Sequence, residues 1–179
     1  MRVRNPCYQA SHRNRLTRMY LTMVFLHILG VIVFALAHGT SIAVAFRLRK
    51  ERDHSRIAAM LDVSSWSTSL MYLGLLLIIV PGVVLGFLGN YWGRWWLWVS
   101  IGLLVLVLGA MYGVAAPYYL RLRAATGATI REGSRKKAAT LPADGIVESL
   151  AASSRPMVLT LIGGIGLVVI LWLMIAQPG

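Results

Sequence analysis

The chain has 179 residues, a formal net charge of +12, and 58% hydrophobic against 13% charged residues. That balance lies outside the soluble range, and nearly all the charge falls between apolar runs, so little is left over for a soluble domain. Nucleic-acid binding is excluded as the meaning of the charge, because reading a duplex needs an exposed folded basic surface. Cys7 is the only cysteine, which excludes an internal disulfide.

The first 18 residues are polar and carry Arg2, Arg4, Arg13, Arg15 and Arg18. Cys7 and His12 offer only two metal ligands on what reads as a flexible arm, so no metal site is expected there. The apolar run that follows is too long for a signal h-region and is expected to be retained. Met19 or Met23 stands as an alternative start. Four stretches, 19–46, 63–93, 95–120 and 156–179, contain no Lys, Arg, Asp or Glu. A hydrocarbon core about 30 Å thick needs roughly 20 apolar residues at the helical rise, so each stretch admits one spanning helix. Spans are predicted over about 20–46, 65–88, 95–120 and 157–176. The fold class is all-α, a polytopic membrane four-helix bundle forming one domain.

Pro81 falls inside the second span and predicts a kink, leaving carbonyls that a neighbouring helix or water must satisfy. Tyr91, Trp92, Trp95, Trp96 and Trp98 crowd the short turn before helix three, and Tyr118 and Tyr119 precede its basic end, as in an aromatic belt at headgroup depth. Between spans three and four, residues 121–155 read as a poorly ordered loop interrupted by Gly127, Gly133, Arg135, Lys136, Lys137 and Pro142. A short surface helix is expected over 144–152.

The loop after span one has Arg47, Arg49, Lys50, Arg52 and Arg56, and that after span three has Arg121, Arg123, Arg131, Arg135, Lys136, Lys137 and Arg155. These twelve positive residues share one side of the membrane, against six on the other, counting Arg94 and the N-terminal arginines. The positive-inside rule then places both termini outside and the basic loops against anionic headgroups.

Small residues at four-residue spacing predict close helix packing: Ala35, Gly39 and Ala43 on helix one, Gly82 and Gly86 on helix two, Gly109 and Gly113 on helix three. Either intramolecular packing or docking of another subunit uses such faces. The ionisable residues of the first span are His27 and His38, about 16 Å apart along the helix and on nearly one face. An intramembrane histidine is either a ligand or a hydrogen-bonding group, here with Ser67, Thr68 or Tyr112 as candidate partners. Bis-histidine haem needs a second imidazole at the same depth, and helices two to four have none in their spans. Histidine with methionine remains as a haem pairing. Counting along antiparallel spans, His38 falls near the depth of Met71 and Met111, and His27 near that of Met174. Copper also suits imidazole and thioether, but two histidines separated by three turns cannot share one ion.

Leu26, His27, Ile28, Leu29, Gly30, then Ala37, His38, Gly39 and the basic end Arg47, Leu48, Arg49 resemble the opening helix of the bacterial four-span family catalogued as domain of unknown function 2269. The likeness runs through the short outer hairpin to the Tyr118, Tyr119, Leu120, Arg121, Leu122, Arg123 exit of helix three. The same opening is similar to copper-resistance D proteins and, over His27 to Gly30, to four-span haem-binding protoporphyrinogen oxidases. The oxidase resemblance implies further basic and histidine residues on later spans, and this chain has neither Lys nor His over 63–93 or 95–120. The expectation is therefore a non-enzymatic bundle of the bacterial inner membrane, a small accessory subunit or homo-oligomer, without pigment. The alternatives are a haem b or copper protein using His27 or His38, and a small transporter, which the lack of acidic residues in the spans disfavours.

Overall fold

The computed structural model describes residues 6–51, 53–115, 117, 121, 130–132, 135–137 and 155–178. Its helices are α1 (Pro6–Leu48), α2 (His54–Leu88), α3 (Trp95–Ala110) and α4 (Arg155–Ala176). All four are long and apolar enough to cross a membrane, as the charge-free stretches require. Large apolar side chains point outward, among them Leu36, Phe87, Tyr112 and Ile175, while Ser64, Ser67, Ser100 and His38 are buried. This reversal of the soluble pattern is the signature of a chain whose solvent is hydrocarbon.

Helix α1 spans Pro6–Leu48, 43 residues or about 64 Å at the helical rise, so residues 6–18 of the expected polar arm are helical. It ends at Leu48, where the Lys50 N–H donates to the Arg47 carbonyl at 3.0 Å, with the Arg47 cation in its last turn. Helix α2 then starts on a side-chain cap. Asp53 Oδ1 accepts from the Ser55 N–H at 2.8 Å and from the Ser55 hydroxyl at 2.7 Å. At its far end Asn90 takes the left-handed region with φ 53°. A 3-10 turn, Tyr91–Gly93, completes the reversal into α3.

Helix α3 gives way to a π turn at Met111–Ala115, beyond which Pro117 and Arg121 are again helical. Gly113 lies inside this turn and Gly109 just before it, where the backbone is least restrained. In the loop beyond, β1 (Ile130–Glu132) pairs antiparallel with β2 (Arg135–Lys137), joining Ile130 to Lys137 and Glu132 to Arg135. The sequence reading had no strands in this loop. The surface helix expected over 144–152 lies outside the described residues.

Two compact units are present: Met1–Leu36 with Leu70–Gly93, and Ala37–Ser69 with Arg94–Gly179. Two of the changes of unit fall within α1 and α2, and the third falls between the 3-10 turn and α3. In the first unit α1 and α2 are antiparallel and touch backbone to backbone. A Cβ on Gly30 would lie 2.7 Å from the Leu77 carbonyl carbon, and one on Gly74 would lie 2.7 Å from the Phe34 nitrogen. In the second, α3 packs on α4 around Trp96, Val107, Leu159 and Leu173, and a Cβ on Gly166 would reach Val107 Cγ2 at 2.6 Å.

The small residues at four-residue spacing have different surroundings from one helix to the next. A Cβ added to Gly39, Gly109 or Gly113 meets nothing within 4 Å among the described residues, and Ala43 is exposed. Spacing puts small residues on one helical face without saying which face meets a neighbour. Gly82 and Gly86 do receive close partners, but those are the rings of His27 and Trp92. Ala35 is half-buried.

Candidate functional site

The two span histidines lie in different units and have separate surroundings. His27 belongs to the α1–α2 pair of the first unit. Its Nδ1 is 2.8 Å from the Ile78 carbonyl oxygen. A carbonyl only accepts, so Nδ1 carries the proton in this bond, and the matching neutral tautomer has its lone pair on Nε2. The ring edge rests on Gly82, where a Cβ would stand 3.1 Å from Cε1 and 3.2 Å from Nδ1.

Pro81 lies in the turn that follows this contact. It has no N–H for the Leu77 carbonyl, and its ring crowds the preceding turn. A carbonyl freed in hydrocarbon must find another donor. The His27 N–H reaches the adjoining carbonyl, that of Ile78, from across the helix pair. Gly82 follows the proline and leaves room for the ring.

His38 is 6% exposed and belongs to the second unit. Its ring lies on Gly163 of α4, where a Cβ would come within 2.6 Å of Nε2. Flanking it on α1, the Ala37 carbonyl accepts the Ser67 hydroxyl, and the Ser41 and Ser67 hydroxyl oxygens are 3.2 Å apart. The Ser100 hydroxyl on α3 donates to the Trp96 carbonyl at 2.8 Å. The second unit thus buries an imidazole and several hydroxyls.

Of the partners expected for the histidines, Thr68 instead donates to the Ser64 carbonyl at 2.9 Å, and Tyr112 is exposed. The partner of His27 is a main-chain oxygen. Reading side chains along the sequence cannot reveal it, although Pro81 marked the turn in which it lies. Gly163 is the other residue the site needed. Met71 is half-buried on α2, Met111 opens the π turn, and Met174 is half-buried on α4. The ring contacts described above are with Ile78, Gly82 and Gly163. Among the described residues, no three His, Cys, Asp or Glu side chains cluster as metal ligands. Cys7 and His12 both fall on α1, on its helical rather than flexible first turns.

Near the turn, the Tyr20 and Tyr91 hydroxyls are 3.3 Å apart. Phe87 and Trp92 rings stack at 5.2 Å between centroids, tilted by 53°. They form an aromatic collar at one end of the first unit, in the position of an interfacial belt.

The model of one protein family, described as a predicted integral membrane protein (DUF2269), matches residues 21–178. Neither a curated protein nor a solved structure matches the chain.

Proposed function

The chain belongs to this family of predicted integral membrane proteins, and on that footing we propose that it is a non-catalytic membrane subunit whose two imidazoles fasten helices. The observation that carries the reading is the His27 Nδ1–H bond to the Ile78 carbonyl. It gives the ring a structural task beside the Pro81 turn, as a donor to the carbonyl next to the one that proline leaves without its N–H. His38 packs against Gly163 of α4 through ring contact. The outward faces at Gly39 with Ala43, and at Gly109 with Gly113, leave room for a neighbouring helix of a homo-oligomer or a membrane complex.

The setting is a bacterial inner membrane with both termini outside, by the weight of the basic loops. Exposed Arg47, Arg49 and Lys50 then meet anionic headgroups of the inner leaflet. Cysteine substitutions at Ser55 and Ser134, exposed to a membrane-impermeant reagent on intact cells, are expected to stay unlabelled. Labelling at both reverses the topology.

A second reading has one observation in its favour. Donation from Nδ1 to a backbone carbonyl is the arrangement that metal-bound histidines adopt, and it leaves the His27 Nε2 lone pair as a donor for haem or copper. The visible spectrum of the detergent-purified protein separates the two. We expect no Soret band. A stoichiometric haem spectrum that His27→Ala abolishes would replace the fastening role by ligation.

A further inference from the structure

The aromatic collar fixes where the first unit leaves the hydrocarbon. Tyr20 of α1 is level with Tyr91 of the turn, their hydroxyls 3.3 Å apart, and α2 ends just before it at Leu88. Helix α1 does not stop there. Residues 6–19 continue it beyond the collar by about 21 Å at the helical rise. Arg13, Arg15 and Arg18 lie on this extension and are exposed. Counting back from Tyr20, they stand at heights of about 3, 8 and 11 Å, with Arg18 lowest. The headgroup layer on each side of a bilayer is about 5–8 Å deep. Long guanidinium side chains let all three reach phosphate depth.

Their directions around the helix are as informative as their heights. At about 100° per residue, Arg15 and Arg18 are some 60° apart, and Arg13 lies on the opposite side. A helix lying flat on a membrane, or docked on one partner, would gather its charges on one face. Here they are spread around the axis, as suits a rod standing upright in a layer of anions.

The charge has no answer inside its own unit. Residues 1–36 and 70–93 contain no Asp or Glu at all. A second copy of the same positively charged segment would repel it. From height, angular spread and missing countercharge together, we infer that the α1 extension is an anionic-phospholipid collar, binding headgroup phosphates of the leaflet on the N-terminal side through Arg13, Arg15 and Arg18. This interaction is on the other side of the membrane from the basic loops and does not depend on what the histidines do.

The test is lipid retention by the full chain. The protein is reconstituted in nanodiscs of mixed phosphatidylglycerol and phosphatidylcholine, and the lipids kept on release are counted by native mass spectrometry. Each arginine near an anionic surface favours it by about fivefold, so the combined R13Q, R15Q and R18Q variant is expected to lower the ratio of phosphatidylglycerol to phosphatidylcholine by at least that factor. These side chains are exposed, and an unchanged thermal unfolding profile in detergent checks that the variant is folded. Soluble glycerol phosphate, added to phosphatidylcholine nanodiscs as a competing source of the same anion, is expected not to bind measurably. An unchanged lipid ratio in the folded variant overturns the proposal, and binding of glycerol phosphate that depends on the three arginines overturns the lipid as its source.

Discussion

Gly30 and Gly39 stand on one helix and face opposite circumstances. At Gly30 the α2 backbone is so near that a methyl group would meet the Leu77 main chain at 2.7 Å, while at Gly39 it would meet nothing within 4 Å. The first belongs to the α1–α2 pair, closed by contact of main chains. The second belongs to a unit where side chains do the filling, Val107 against Gly166 and His38 against Gly163. The same residue type is a requirement in one place and an opening in the other.

Leucine substitutions sharpen that contrast most. Gly30→Leu and Gly74→Leu are expected to cost about 3 kcal/mol or more each, because the atoms in the way are backbone and cannot rotate aside. Gly39→Leu and Gly113→Leu are expected to change stability by less than about 0.5 kcal/mol. Thermal unfolding in detergent ranks the four, and equal losses would show that the open faces are covered in the native assembly. Gly163→Leu comes next, at about 1–3 kcal/mol, since it displaces an imidazole that can shift in part.

A smaller loss, about 1 kcal/mol, is expected for His27→Ala, which removes the donor at the Ile78 carbonyl. If Pro81 is what makes that donor necessary, Pro81→Ala combined with His27→Ala costs less than the two single losses added together. Strict additivity would detach the histidine from the kink.

The smallest effect is at the start of α2. Hydrogen bonds from the Ser55 hydroxyl, then from its backbone N–H, hold the Asp53 carboxyl below the usual carboxylate range. A group whose native value is depressed stabilises the fold above its unfolded value and loses that contribution as pH falls through the native one. Amide exchange at residues 54–57 is therefore expected to quicken on acidification below the ordinary carboxylate range. Asp53→Asn keeps a capping oxygen but removes this pH dependence.

The spans were legible because a charge-free run of roughly 20 residues has few other uses. Pro81 was legible as a place of unmet backbone need. The contact beside it was not, since His27 reaches from α1 to a main-chain oxygen, that of Ile78. Small-residue spacing could not say what meets Gly39, Gly109 and Gly113, because periodicity names a face but not its neighbour. It overlooked Gly30 and Gly74, each without a small residue four positions away along the chain to draw attention to it. The helical start at Pro6 was hidden by composition, where arginines in a polar stretch read as an arm although arginine is a good helix former.

The hydroxyls beside His38 have a further property. Ser67 has a single proton, and it is placed on the Ala37 carbonyl, so the Ser41 hydroxyl must be the donor in its contact with Ser67. The chain of donation runs one way, from Ser41 to Ser67 to Ala37. Yet Ala37 is also four residues before Ser41, the position to which Thr17, Thr22, Thr68 and Ser100 turn their own hydroxyls. If Ser67 is replaced by alanine, Ser41 can swing back onto the oxygen that Ser67 vacates, and no polar hydrogen is stranded in the lipid. The crossing bond therefore has a fallback already present in the next turn of the same helix, and a mutation that severs it exchanges one closed circuit for another.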